Sequence, residues 1–171
     1  MKTLVIYESL YGNTREIAEA VAEGLGETAE VEVHAVAETP PAEVAGVDLL
    51  VVGGPTHVHG MSSRLSRKAA AEDAKTKPEL EPDVEGPALR DWFDGLGKTD
   101  RGRAAAFDTR LGKPKLITGS AAKGIAHRLR RHGYDVVADV SFVVDDSVGP
   151  LHEGERERAR EWGRELARAR G

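Results

Sequence analysis

The run KTLVIY, Lys2–Tyr7, is almost wholly apolar, and from Asn13 onward the apolar residues change period. Ile17, Val21 and Leu25 recur every fourth position with Ala18 and Ala22 beside them, while Arg15, Glu16, Glu19 and Glu23 take the other side. Apolar residues at both parities make a strand that is covered on both faces, and the 3.6-residue period that follows is an amphipathic helix. Gly24 and Gly26 supply its stop.

The same alternation continues along the chain. Residues 31–36 alternate apolar and polar, as a half-exposed strand does. Residues 48–52 form a second continuous apolar strand, closed by Gly53-Gly54-Pro55, and residues 103–107 a third, short and built from small residues. Residues 136–144 read as a strand with Asp139 and Ser141 on one face. Helical patterns fill residues 87–96, 119–132 and 153–170. A β-α repeat of this kind calls for a parallel sheet with helices on both faces. The runs apolar at both parities belong in the centre and the mixed runs at the edges, which gives five strands in the order 2-1-3-4-5. Residues 1–171 are expected to form a single domain, with residues 61–84 as an insertion near the mouth of the sheet.

Composition narrows the function. The chain contains no cysteine, which excludes disulfides, thiolate-held clusters and cysteine nucleophiles. A net charge of −5 gives no drive toward nucleic acid. No apolar run approaches the ~20 residues of a membrane span, and Glu8 interrupts the N-terminal run too early for a signal peptide. The expectation is a cytoplasmic protein.

The stretch SLYGNT, residues 9–14, lies where the first strand passes into the first helix. In the order 2-1-3-4-5 that turn sits at the switch point of the sheet, where ligands bind. The free N–H groups of a helix start favour an anion. Ser9, Asn13 and Thr14 add donors, and Gly12 lets the backbone come close. With no Lys or Arg in the turn, the anion would be held by neutral dipoles. The alternative is an ordinary helix cap made by Asn13 or Thr14. His57 and His59 could face one metal ion, but no third ligand stands nearby, so no metal is expected. "HRLRRH", from His127 to His132, reads as the solvated face of a helix, and the Arg/Glu-rich C-terminus as a helix laced with i,i+4 ion pairs. No nucleophile–base pair stands out, and no catalytic side chain is assigned.

IYESLYGNTREIAEAVAEGL resembles the first strand, the [ST]-x-[ST]-G-N-T phosphate loop and the first helix of the flavodoxin family. DLLVVGGPTHVHGM is similar to that family's third strand and second flavin loop, and AAAFDTRLG to its fourth strand and third flavin loop. The resemblance implies a flavodoxin-like three-layer sandwich with FMN as cofactor. It implies that the phosphate lies on Ser9, Leu10, Tyr11, Gly12, Asn13 and Thr14. The ring would lie between Pro55, Thr56, His57 and Val58 on one side and Phe107, Asp108, Thr109 and Arg110 on the other. The chain departs from the family at Tyr11, where Thr or Ser is usual, and at His57, which stands where a stacking aromatic is often found. The second-loop glycine is displaced too, since Val58 and His59 precede Gly60. Phe107 reads equally as a core residue at a strand end. The resemblance implies a monomeric electron carrier with transient redox protein partners. The alternatives are an FMN-dependent oxidoreductase acting on a quinone-like acceptor, and a flavin-free binding or regulatory module.

Overall fold

Odd and even positions of the central strands feed two separate cores. In the computed structural model, which describes residues 1–57, 60–76, 86–100 and 102–169, the long strands are β1 (Lys2–Tyr7), β2 (Glu30–Ala35), β3 (Leu49–His57), β5 (Arg103–Leu111) and β6 (Asp135–Val144). They are parallel and hydrogen-bonded in the order β2-β1-β3-β5-β6, the expected 2-1-3-4-5 when only these long strands are counted. Leu4, Ile6, Leu50, Val52, Ala104 and Ala106 point to one face, where they meet α3 (Leu89–Gly95) and α5 (Ala121–Arg131). Val5, Leu49, Val51, Ala105 and Phe107 point to the other, against α1 (Asn13–Gly26) and α6 (Glu155–Arg168). Burial on both faces is what the unbroken apolar runs require, because successive side chains leave a strand on opposite sides.

A sixth strand was not anticipated. β4 (Gly60–Met61) folds back antiparallel on the end of β3, pairing Thr56 with Met61 and His57 with Gly60. It is two residues long, too short to carry a period. β3 also runs on through Gly53-Gly54-Pro55, which the sequence reading took as its stop. Gly53 pairs with both Tyr7 and Phe107. A Cβ at Gly53 would lie 2.0 Å from the Phe107 ring, so this glycine makes room for a core side chain and does not mark a turn.

Gly24 is a second such case. It lies inside α1, and a Cβ there would come within 2.0 Å of the Arg160 carbonyl oxygen in α6. Gly163 answers it from α6, where a Cβ would fall 2.2 Å from the Val21 carbonyl. The two helices therefore cross with their backbones nearly in contact. Within the segment read as an insertion, residues 64–76 form a helix, α2 (Arg64–Thr76), while residues 77–84 lie outside the described residues. Among the described residues no helix is long and apolar enough to cross a membrane.

Candidate functional site

At the carboxyl ends of the strands a cleft opens between the turn after β1, the last residues of β3 and β5, and the end of β6 with the loop after it. Leu10, Tyr11, Asn13, Thr14, Pro55, Thr56, His57, Thr109 and Arg110 line it, together with Leu111, Val144 and Ser147. It encloses about 190 Å³. That is below the ~300–1,000 Å³ of pockets that swallow a whole drug-sized ligand, so a molecule of flavin size would be held with part of its surface open to solvent.

The 9–14 turn is not an ordinary cap. The residue before α1 is Gly12, at φ 87°, and no side chain caps the helix. A left-handed φ favours glycine, and a Cβ there would touch nothing, so conformation and not space dictates the residue. Ser9 turns inward, and its hydroxyl accepts a hydrogen bond from the Gly12 N–H at 3.0 Å. This bond shapes the loop from below. The Asn13 amide donates to the Val148 carbonyl at 3.1 Å, which ties the loop after β6 to the turn. The Thr14 and Thr109 hydroxyls sit 2.8 Å apart, in hydrogen-bond contact. The result is an uncapped helix start with neighbouring hydroxyl and amide groups and no cation in the loop, a fit for a phosphate held by dipoles.

Tyr11 looks away from that task. Its hydroxyl donates to Asp73 of α2 at 2.9 Å, and burial together with the carboxylate pushes the phenol up to about 12. Its departure from the family's small hydroxyl residue thus has a partner, and that partner comes from the segment read as an insertion. A second tie to α2 begins at Glu8. This carboxylate is 1% exposed and accepts from the Ser62 hydroxyl, from the Arg67 guanidinium at 3.0 Å and from the Leu89 N–H at 2.9 Å. The sequence reading saw Glu8 only as the end of an apolar run. A buried charge with its partners far away in sequence leaves no local signal.

On the ring side of the cleft two expected residues turn their side chains elsewhere. Phe107 is fully buried, packed edge-on against Phe142 and Trp162, on the face covered by α1 and α6. It shares the parity of Ala105 and belongs to the core. Asp108 is also fully buried. Its carboxylate accepts from Thr56, Ser120 and the Ala122 N–H at 2.8–3.0 Å, which anchors the start of α5. Neither side chain lines the cleft. Val58 lies outside the described residues, as does His59.

Two polar atoms of lining residues are buried without a hydrogen-bond partner among the described residues: Nε2 of His57 and Nε of Arg110. Burial holds the His57 imidazole below its ordinary value of 6.5, against the opposing pull of Glu8. Arg110 is not directed into solvent. Its Nη1 donates to the Leu111 and Lys113 carbonyls and to the Thr118 hydroxyl, at 3.3, 2.7 and 3.1 Å. The guanidinium thereby keeps a fixed positive charge at the cleft wall. Among the described residues no cluster of His, Asp and Glu is arranged to hold a metal ion.

An open parallel sheet in this order, with a helix start facing a cleft at its switch point, defines a nucleotide-type binding protein of the doubly wound class. The family model described as Flavodoxin matches residues 5–97, and the chain belongs to the flavodoxin family, whose cofactor is FMN. A flavodoxin of Aquifex aeolicus is 41% identical over 68 residues, covering 39% of this chain. An NAD(P)H dehydrogenase (quinone) of Cupriavidus metallidurans is 38% identical over 38% of this chain. The chain spans only 37% and 43% of the lengths of these two relatives. Among solved structures, oxidised Flavodoxin 1 from Bacillus cereus superposes with a TM-score of 0.71 at 20% identity, over all of both chains. The flavodoxin, WrbA-like protein from Agrobacterium tumefaciens does so at 0.59 and 23%, over 98% of this chain and 95% of that one. These two likenesses concern the fold.

Proposed function

We propose that this chain is an FMN-binding electron carrier on a single flavodoxin-like domain, monomeric and meeting its redox partners transiently. The observation that carries the reading is the uncapped start of α1, with Gly12 in the left-handed conformation and Asn13, Thr14 and Thr109 beside it. The backbone of residues 9–14 binds the phosphate, with Asn13 and Thr14 as its side-chain donors. Leu10 and Pro55 give the cleft apolar walls. Thr56, His57, Thr109 and Arg110 orient the ring, and Val58, which follows His57 in the sequence, is assigned to the same task. FMN, when bound, supplies the electron chemistry, and the protein sets its position and electrostatic surroundings. Arg110 places positive charge at the wall, and the buried neutral groups around it exclude water.

A riboflavin comparison tests this reading. FMN should bind far more tightly than riboflavin, which lacks the phosphate, and equal affinities would overturn it. The same preparation tests cofactor choice. The 9–14 turn is a compact seat without a GxGxxG fingerprint, so FMN is the flavin to be recovered from purified protein. FAD alone would count against it.

A second reading is supported by two observations. α2 lies against the phosphate loop through Tyr11 and Asp73, and one relative is named as a quinone dehydrogenase. In that reading the chain passes electrons from NAD(P)H to a quinone-like acceptor. Turnover of NAD(P)H with a quinone, without any added reductase, would favour it over the carrier.

A further inference from the structure

His57 is the last residue of β3, pairs with Gly60 of β4 and is among the residues that line the cleft. Nε2 is buried and bonded to nothing among the described residues. A buried polar atom without a partner is costly, and a family aromatic that only stacked would carry no such atom. Among the described residues of the wall, His57 is the one whose side chain changes charge near neutral pH. We propose that His57 is a redox-linked proton acceptor, neutral while the FMN in the cleft is oxidised and protonated when that flavin is reduced.

The argument is electrostatic and rests on the FMN reading. Reduction places negative charge in a site poor in water. The charged groups around His57 are few and mostly committed. Glu8, at the end of β1, is bonded to Arg67 of α2 and to the Leu89 N–H at the start of α3. Tyr11 donates to Asp73 of α2, and its phenol stays neutral. From the β5 side Asp108 is taken up by Thr56 and the start of α5. Arg90 of α3 is bonded to the carbonyls of Met61, the last residue of β4, and of Ser62 after it. Arg110 carries a permanent charge, held by its own loop. Of these, only the imidazole is held uncharged by burial alone, with Glu8 already favouring its cation. A second negative charge nearby tips it. The step balances simply. An external one-electron donor gives its electron to the flavin, and a proton from solvent forms an N–H bond on the bare imidazole nitrogen. No bond is broken at His57.

Ring ¹H–¹⁵N NMR of the FMN-loaded protein reads this directly, with the His57 signal assigned by its loss in His57→Gln. Titrations are run on the oxidised protein and on protein reduced with dithionite. The titration midpoint of His57 should rise on reduction by about one pH unit or more, a tenfold gain in proton affinity. Proton uptake per electron at neutral pH should fall in His57→Gln and in His57→Phe relative to wild type. An unchanged midpoint, or equal proton uptake in wild type and both variants, overturns the proposal while leaving FMN binding intact. Failure of the wild-type protein to take up FMN at all would remove the reading beneath it, and is seen separately in the flavin absorbance.

Discussion

Thr14 shows how much one hydroxyl can be asked to do. It is 1% exposed, it faces Thr109 at 2.8 Å, and it stands in the first turn of an uncapped helix. Thr14→Ala and Asn13→Ala should each weaken FMN binding by about 1–2 kcal/mol, the scale of a hydrogen bond to a charged group. Titration with both flavins separates this from a general loosening of the site: riboflavin affinity should hardly move, and a parallel loss for both ligands would refute a phosphate role. In the proposed reading Arg110 would act on the ring by charge. Its bonds to Leu111, Lys113 and Thr118 keep it from swinging into solvent, so screening does not erase its field. A fixed cation favours the reduced, more negative flavin. Removing it in Arg110→Gln should make the potential of bound FMN more negative, with about 59 mV for each ~1.4 kcal/mol on a one-electron couple. Arg110→Lys, which keeps the charge, should stay nearer wild type. Potentiometric titration decides, and identical potentials in all three proteins would make Arg110 a loop clasp only.

Among the elements, α1 and α6 cross with almost no clearance between their backbones. Gly24 and Gly163 each leave no room for a Cβ against a backbone carbonyl of the other helix. Backbone cannot yield as a flexible side chain can, so Gly163→Ala should push the helices apart and destabilise by at least the ~1–3 kcal/mol of an overpacked core. Helix propensity alone would favour alanine by ~1 kcal/mol; a stabilised variant in urea denaturation would show that the joint is looser than drawn. The Glu8 cluster joins the end of β1 to α2 and α3, and Glu8→Gln removes the buried charge that the Arg67 guanidinium and the Leu89 N–H share. A loss of about 3 kcal/mol is expected, the lower end for breaking a buried pair, and a change under 1 kcal/mol would show that water reaches the site. Both joints mark the edge of what the sequence shows. The strands were legible because double-faced burial writes itself as an unbroken apolar run, and the 9–14 turn because a strand, small polar residues and a helix follow one another locally. Gly24 was misread as a stop because a glycine that admits another helix looks the same as one that ends its own. Phe107 was placed beside the cofactor because the continuation of β5 past it was not seen. Asp73 and Arg67 were invisible, since their partners are 62 and 59 residues away.

At the scale of the whole molecule, charge is sorted by surface. The α1–α6 face neutralises itself: Arg156 and Arg160 meet Glu23, and Arg164 meets Glu27, at 2.5–2.8 Å across the helix pair. The last helix was expected to be laced along its own length at i,i+4. Among the described residues its internal pairs are instead spaced i,i+3 or i,i+7, and the rest reach across to α1. Exposed pairs of this kind add little stability each, but they remove charge from the face that carries them. The two helices together hold six arginines and seven glutamates, so most of the net −5 lies outside this pair. A carrier of this sign should be steered toward basic partners, and the steering should be lost as salt shortens the Debye length from ~30 Å at 0.01 M to ~8 Å at physiological strength. Stopped-flow oxidation of the reduced, FMN-loaded protein by a basic haem protein measures this. The second-order rate should fall by about tenfold or more between low and physiological salt. An acidic acceptor of similar potential should show the opposite slope. A rate indifferent to salt with both acceptors would mean that docking is not electrostatic. It would turn attention to Leu116 and Ile117, which are 94% and 59% exposed on the short α4 (Lys115–Thr118) beside the Arg110 loop.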